Sequence, residues 1–141
     1  LLRTWEIEVL VDVRSAPYSR YVPHFNQTGL EKAVESGGMI YLYLGRELGG
    51  LSKGGHKPGT GPDFDQGIKT IGEMAEKRRL ALMCAEENPL RCHRFHLITP
   101  ALTAAGLAVR HIRGDGRVEA DEALRAGGAN RSGTGGQMEL F

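Results

Sequence analysis

Cysteine is scarce in this chain: Cys84 and Cys92 are the only two among 141 residues, with seven residues between them. Such a pair is unlike the disulfide framework of a small secreted domain, so a reducing cytoplasm is the expected compartment. No apolar run reaches the length that crosses a bilayer and no signal peptide opens the chain, so no membrane role is expected. Charge of one sign is missing too. A net charge of +1 gives no general attraction to nucleic acid, so a polyanionic partner needs locally placed positive charge. A phosphate loop is also absent, because the glycine-rich stretch from Gly45 to Gly61 lacks Gly-Lys-Ser/Thr and is not followed directly by a helix. The opening Leu1-Leu2-Arg3-Thr4-Trp5 has no Met and reads as the tail of a helix, which leads us to expect a missing upstream strand and helix.

What is present describes an ordinary globular domain. Hydrophobic residues make up 40% and charged residues 25%, and the length suffices for one core without disulfide or metal support. Ile7 to Val13 is a β-branched run with apolar residues on both faces, the pattern of a strand covered on both sides. Asn26 is placed to cap a helix carrying Leu30, Ala33 and Val34, which Gly37-Gly38 stops. Met39 to Leu44 and Leu80 to Met83 read as two more buried strands, with a helix from Asp63 between them presenting Phe64, Ile68, Ile71, Met74 and Ala75. Gly45 to Pro62 holds seven glycines and two prolines in eighteen residues and is expected to be a long irregular loop, a pliable lid or collar. A helix from Leu90 to Ala105 should be kinked or split by Pro100, and Leu107 to Ile112 follows as a fourth strand. A short polar helix is expected over Glu119 to Ala126. Alternating strands and helices predict a three-layer α/β fold, a mostly parallel sheet flanked by helices, over residues 1–126, with residues 127–141 a flexible tail.

Ligands of open parallel sheets bind beyond the carboxyl ends of the strands, and here those ends are polar. They deliver Asp12, Arg14 and Ser15, then Gly45, Arg46 and Glu47, then Cys84, Glu86 and Glu87, with Cys92-His93-Arg94 at the next helix start. Arg14 and Arg94 are expected to flank a phosphate or carboxylate beside Ser15, Ser19 and Tyr41, while Glu86, His93 and Asp12 are the candidates for moving a proton. The plainer alternative is an Asp12–Arg14 or Glu86–Arg94 pair that braces loops. Cys84 and Cys92 also allow a thiol reading, although Glu86 and Glu87 would repel an anion cradled there. Zinc is not expected, because seven intervening residues followed by adjacent ligands is no knuckle spacing. No cofactor is expected either. His24, His56 and His111 stand alone and point to nothing.

Several of these residues occur together in one known family. Asp12-Val13-Arg14-Ser15 with Pro17, Ser19 and Phe25, then Tyr41 before Leu44-Gly45, Glu47-Leu48-Gly49-Gly50, Met83-Cys84-Ala85-Glu86 and Cys92-His93-Arg94 resemble domain of unknown function 488 over about Leu10 to Asp115. The resemblance implies a three-layer α/β fold and supplies no reaction. Members usually begin with a strand ending in Gly-His-Ser, which this chain lacks. Pro100 falls where their pattern continues a helix.

The last five residues, Gln137-Met138-Glu139-Leu140-Phe141, resemble the peptide by which bacterial polymerases and repair proteins bind the sliding clamp. Leu140 and Phe141 are its apolar anchors, and Gln137 offers a donor and an acceptor. The leading functional expectation is therefore a bacterial protein that binds a nucleotide or nucleic-acid element in an arginine-lined pocket, with a hydrolytic or base-processing reaction as one form of it. DNA repair or replication would be the setting, reached through the clamp. The alternatives are a non-catalytic module for a small anion and a thiol or sulfur-transfer enzyme using Cys84 or Cys92. For the tail, the alternative is that Leu140 and Phe141 fold back on their own domain.

Overall fold

A computed structural model describes residues 1–51 and 57–127 together with the backbone of residues 139–140. The first strand, β1 (Val9–Asp12), is buried at all four positions. That follows from its lack of a polar face, and its neighbours supply cover on both sides. After a loop comes α1 (Gln27–Ser36), then β2 (Ile40–Tyr43), a one-turn helix α2 (Gly45–Leu48), α3 (Pro62–Ala75) and β3 (Leu80–Met83). All three strands are parallel in the order β2-β1-β3, with Asp12 level with both Tyr43 and Met83. The strand ends therefore deliver their polar residues to one edge, as expected.

The two faces of this sheet are packed differently. Val9, Val11, Val13, Leu80 and Leu82 point to a core completed by Leu48, Phe64, Ile71, Ile98 and Leu102. Leu10 and Ala81 point the other way, against Leu30 and Val34 of α1. Each fully buried aliphatic side chain contributes about 1.5–3 kcal/mol relative to exposure, so β1 is the best-anchored element.

The segment after β3 is split, as Pro100 led us to expect, but into three pieces of which only the last is α-helical. Pro89–Arg91 is a 3₁₀ turn, Arg94–Ile98 a π turn and Thr99–Ala104 a short α-helix, α4. Pro100 lies in the first turn of α4, where its missing N–H is tolerated, so the chain restarts its helix there. Next come β4 (Ala108–Ile112), β5 (Val118–Ala120), α5 (Asp121–Arg125) and β6 (Glu139–Leu140). β4 pairs antiparallel with β5 and parallel with β6, forming a second three-stranded sheet in the order β5-β4-β6. The polar helix expected over residues 119–126 is thus shorter and is preceded by a strand.

The glycine-rich stretch also begins as structure. Gly45 opens α2, and Leu48, only 1% exposed, belongs to the core, so an apolar pair one turn apart draws this end inward. Residues 52–56, which include His56, lie outside the described residues, as does the tail from 128 to 138 with Gln137 and Met138, and so does Phe141. The backbone of Glu139 and Leu140 pairs with Ala108 and Val109 of β4. Among the described residues no helix is long and apolar enough to cross a membrane.

Candidate functional site

Asp12 ends β1 fully buried, so its charge needs internal partners. Oδ1 accepts from the Arg14 backbone N–H at 3.1 Å and from Nε at 2.9 Å, and Oδ2 accepts from the Arg14 guanidinium at 2.7 Å and from the Tyr41 hydroxyl at 2.6 Å. Arg14 also donates to the Phe25 carbonyl at 2.7 Å, which pins the far end of the loop. The bond from Asp12 raises the Arg14 pKa, and burial, reinforced by the bond to Asp12, raises that of Tyr41. The anion fork expected at Arg14 is spent on its own chain. Asp12 and Tyr41 likewise brace the loop, as the plainer alternative held.

Ser15 and Ser19 have the same kind of task. Ser15 Oγ accepts from the Leu51 N–H at 3.3 Å, and Ser19 Oγ accepts from Val22 N–H at 3.1 Å. The Ser19 N–H donates to Asn26 Oδ1, so Asn26 stands at the start of α1 without its side chain capping the helix. Arg94 donates to the Leu82 carbonyl at 3.1 Å, to the Glu86 carbonyl at 2.8 Å and to Cys92 Sγ at 3.2 Å. It laces the end of β3 to the following turn through backbone oxygens. The Glu86 carboxylate accepts from the Asn88 N–H at 3.0 Å. His93, the other proton-moving candidate at this turn, meets a carbonyl and a thiol.

His93 donates from Nε2 to the Val13 carbonyl at 3.2 Å. A carbonyl only accepts, so the proton resides on Nε2 and Nδ1 keeps its lone pair. Nδ1 lies 3.5 Å from Cys84 Sγ. Cys92 completes the group: the two sulfurs and the imidazole lie within 4.8 Å of one another. The fold explains the convergence. Cys84 directly follows β3, the turn doubles back through the Pro89–Arg91 3₁₀ turn, and Cys92 with His93 opens the π turn beneath it. A bond from Cys84 and the Arg94 guanidinium push the Cys92 thiol far down, towards thiolate. The same sulfur–sulfur bond and burial push Cys84 up. Negative charge is thus favoured on Cys92 over Cys84.

Cys84 is half-buried and Cys92 buried. Cys84 packs against the core and also lines a cavity of about 670 Å³ whose walls include Leu10, Leu30 and Val34. Arg14, Glu86 and Arg94 line the same cavity, so the three residues expected in one pocket do share it, with both guanidinium groups tied to internal acceptors.

Two features were not foreseen. Gly50 packs closely against His93, since a Cβ there would lie 3.0 Å from the ring. Gly45 is required for a closer approach still, because its Cβ would meet the Arg14 carbonyl at 2.0 Å. The glycine pattern in Gly45 and Glu47-Leu48-Gly49-Gly50 carried this information, but only the fold shows what each glycine faces. Second, His111, taken as isolated, is buried against Asp121 at 2.9 Å, and Arg125 closes that cluster at 2.6 Å. No match was found among curated proteins, and none among solved structures. A family model does match: that of domain of unknown function DUF488, over residues 1–99, and the chain belongs to this family.

Proposed function

We propose that this protein carries out thiol chemistry at Cys84, with His93 as base and Cys92 as second thiol, on a small substrate held in the adjoining cavity. The observation that supports it is the convergence of two sulfurs and one imidazole within 4.8 Å. In this reading Cys84 gives its proton to His93 Nδ1 and attacks one sulfur of a substrate disulfide, and the first substrate thiolate leaves with that proton. The Cys92 thiolate then attacks Cys84 of the mixed disulfide and releases the second substrate thiolate. Substrate gains two electrons and the chain gains one disulfide. The sulfurs must close to about 2.05 Å for this, which the strand-to-turn connection has to accommodate.

Thiol chemistry ranks above the nucleotide or nucleic-acid reading because Arg14 and Arg94 direct donors at their own chain. It also ranks above a passive anion module, for which the same arginines would be needed. The test uses metal-free protein and an aromatic disulfide. Wild type should release two product thiols per chain. Cys92→Ser should release one and retain a mixed-disulfide adduct seen by mass, and Cys84→Ser should react slowly. Equal rates for wild type and Cys84→Ser would refute the proposal. The clamp-binding reading of Gln137 to Phe141 is a separate proposal, and it requires β6 to leave β4. Titrating purified clamp with wild type and with Leu140→Ala/Phe141→Ala tests it, and binding unaffected by the double change would end it.

A further inference from the structure

We infer that Cys84, Cys92 and His93 form a binding site for a soft divalent metal ion of the zinc class, with three protein ligands and one position left open. The inference shares with the proposed function the convergence of these atoms, but it does not depend on their reactivity as free thiols.

The distances fit the ion. A tetrahedral zinc centre with bonds of about 2.3 Å to sulfur and 2.0–2.1 Å to nitrogen puts a sulfur and a nitrogen ligand roughly 3.5 Å apart and two sulfurs roughly 3.8 Å apart. Cys84 Sγ and His93 Nδ1 are 3.5 Å apart, and all three atoms fit within 4.8 Å.

The surroundings fit as well. A metal-ligating imidazole almost always donates its other N–H to a carbonyl or carboxylate, which fixes the ring and its tautomer. His93 does this through Nε2 to Val13. Ligand thiolates are steadied by N–H donors, and Cys92 Sγ accepts from Arg94 N at 3.4 Å and Nε at 3.2 Å. Two thiolates with one imidazole select zinc or a similarly soft ion over magnesium or calcium, which take oxygen ligands. A knuckle spacing is unnecessary here, because a strand end and a reversing turn bring Cys84 and Cys92 together instead of a hairpin. Cys84 lines the cavity, so a water molecule or a small donor ligand would reach the fourth position from that side.

The test uses the full chain with Zn²⁺ and, as spectroscopic probe, Co²⁺. Wild type should retain about one zinc per chain after dialysis, and the cobalt form should show thiolate-to-metal charge transfer with intense tetrahedral visible bands. Cys84→Ser and His93→Ala should each lower affinity at least about tenfold. Circular dichroism confirms that each variant is folded, and both positions are only half-buried. Substoichiometric zinc, a pale octahedral cobalt spectrum, or wild-type affinity in folded Cys84→Ser and His93→Ala would overturn the inference. The disulfide assay, run in chelator, separates the two ideas. Tetrahedral cobalt with inert thiols leaves the metal site standing and removes the thiol reaction, while reactive thiols without metal binding do the reverse.

Discussion

The Asp12 cluster and the Cys84 cluster grow from neighbouring strand ends and satisfy their polar atoms in opposite ways. Asp12 accepts four hydrogen bonds, which exhausts the usual capacity of a carboxylate, and all of them come from Arg14 and Tyr41. Nothing is left over for a ligand. The sulfurs are weak acceptors with contacts of 3.2 to 3.5 Å, and Nδ1 of His93 faces a thiol in place of a strong donor. The difference teaches where to look for function in this sheet edge. Charged residues at a strand end read as an anion site in sequence, yet a buried carboxylate claims the nearest arginine first. Soft side chains are left with capacity to spare.

The largest expected effect breaks the closed cluster. Arg14→Ala strands a fully buried carboxylate and should cost about 3–5 kcal/mol of stability. Arg14→Lys should recover only part, because an ammonium cannot reproduce the paired donors of the guanidinium. Urea denaturation checks both. A loss under about 1 kcal/mol in Arg14→Ala would mean that Asp12 is not held as described, and the contrast between the clusters would fall.

A second closed cluster sharpens the same contrast with a smaller effect. Asp121 is pushed up by burial, but bonds from His111 and Arg125 outweigh this and leave its carboxyl below the usual range. A depressed carboxylate contributes stability above its unfolded pKa of about 3.9, and that contribution disappears as pH falls through the folded value. Asp121→Asn should therefore cost about 1.5–3 kcal/mol at neutral pH. It should also flatten the loss of stability below about pH 4. Unfolding midpoints measured from pH 2 to 7 decide this, and an acid limb as steep as in wild type would contradict it.

Much of this architecture was legible from the sequence, for identifiable reasons. β1, β2 and β3 were readable because each is a short, mainly apolar run, but β2 is an edge strand with Ile40 exposed and not the buried strand expected. β5 was missed because Val118–Ala120 is three residues long, too short to show a period. The split around Pro100 was readable from proline chemistry alone, but the π turn at Arg94–Ile98 was not. In the site, residue types stood out, while among partnerships only the Asp12–Arg14 pair was read, as the plainer alternative. Arg14, Tyr41, Cys84, Cys92 and His93 all stood out, but which arginine is spent and which imidazole nitrogen is free depend on distances between segments far apart in sequence. The Val13 carbonyl, which fixes His93, is a backbone atom and has no signature.

The smallest expected packing cost belongs to the open cluster, and its readout is ionisation. Cys84→Ala removes one half-buried side chain, and the lost packing alone should cost about 1 kcal/mol or less. In wild type the bond from Cys84, with the Arg94 guanidinium, holds the Cys92 thiol down, so one thiolate per chain should absorb near neutral pH. The second thiol, pushed up, should stay protonated well past about pH 8.5, the ordinary range for a thiol. The linkage has two limbs. Stability from Cys92 is complete above its unfolded pKa and is lost as pH falls, while that from Cys84 is complete below its unfolded pKa and is lost as pH rises through its folded value. Their joint contribution therefore peaks near the ordinary thiol pKa. Removing Cys84 takes away the first-ranked support of the Cys92 thiolate and should move its ionisation upward, towards the ordinary range. Absorbance near 240 nm across a pH titration, with Cys84→Ala beside wild type, measures both steps. If two thiolates emerge together near pH 8.5 in wild type, negative charge is not favoured on Cys92 over Cys84, and the cluster is no more open to chemistry than the one around Asp12.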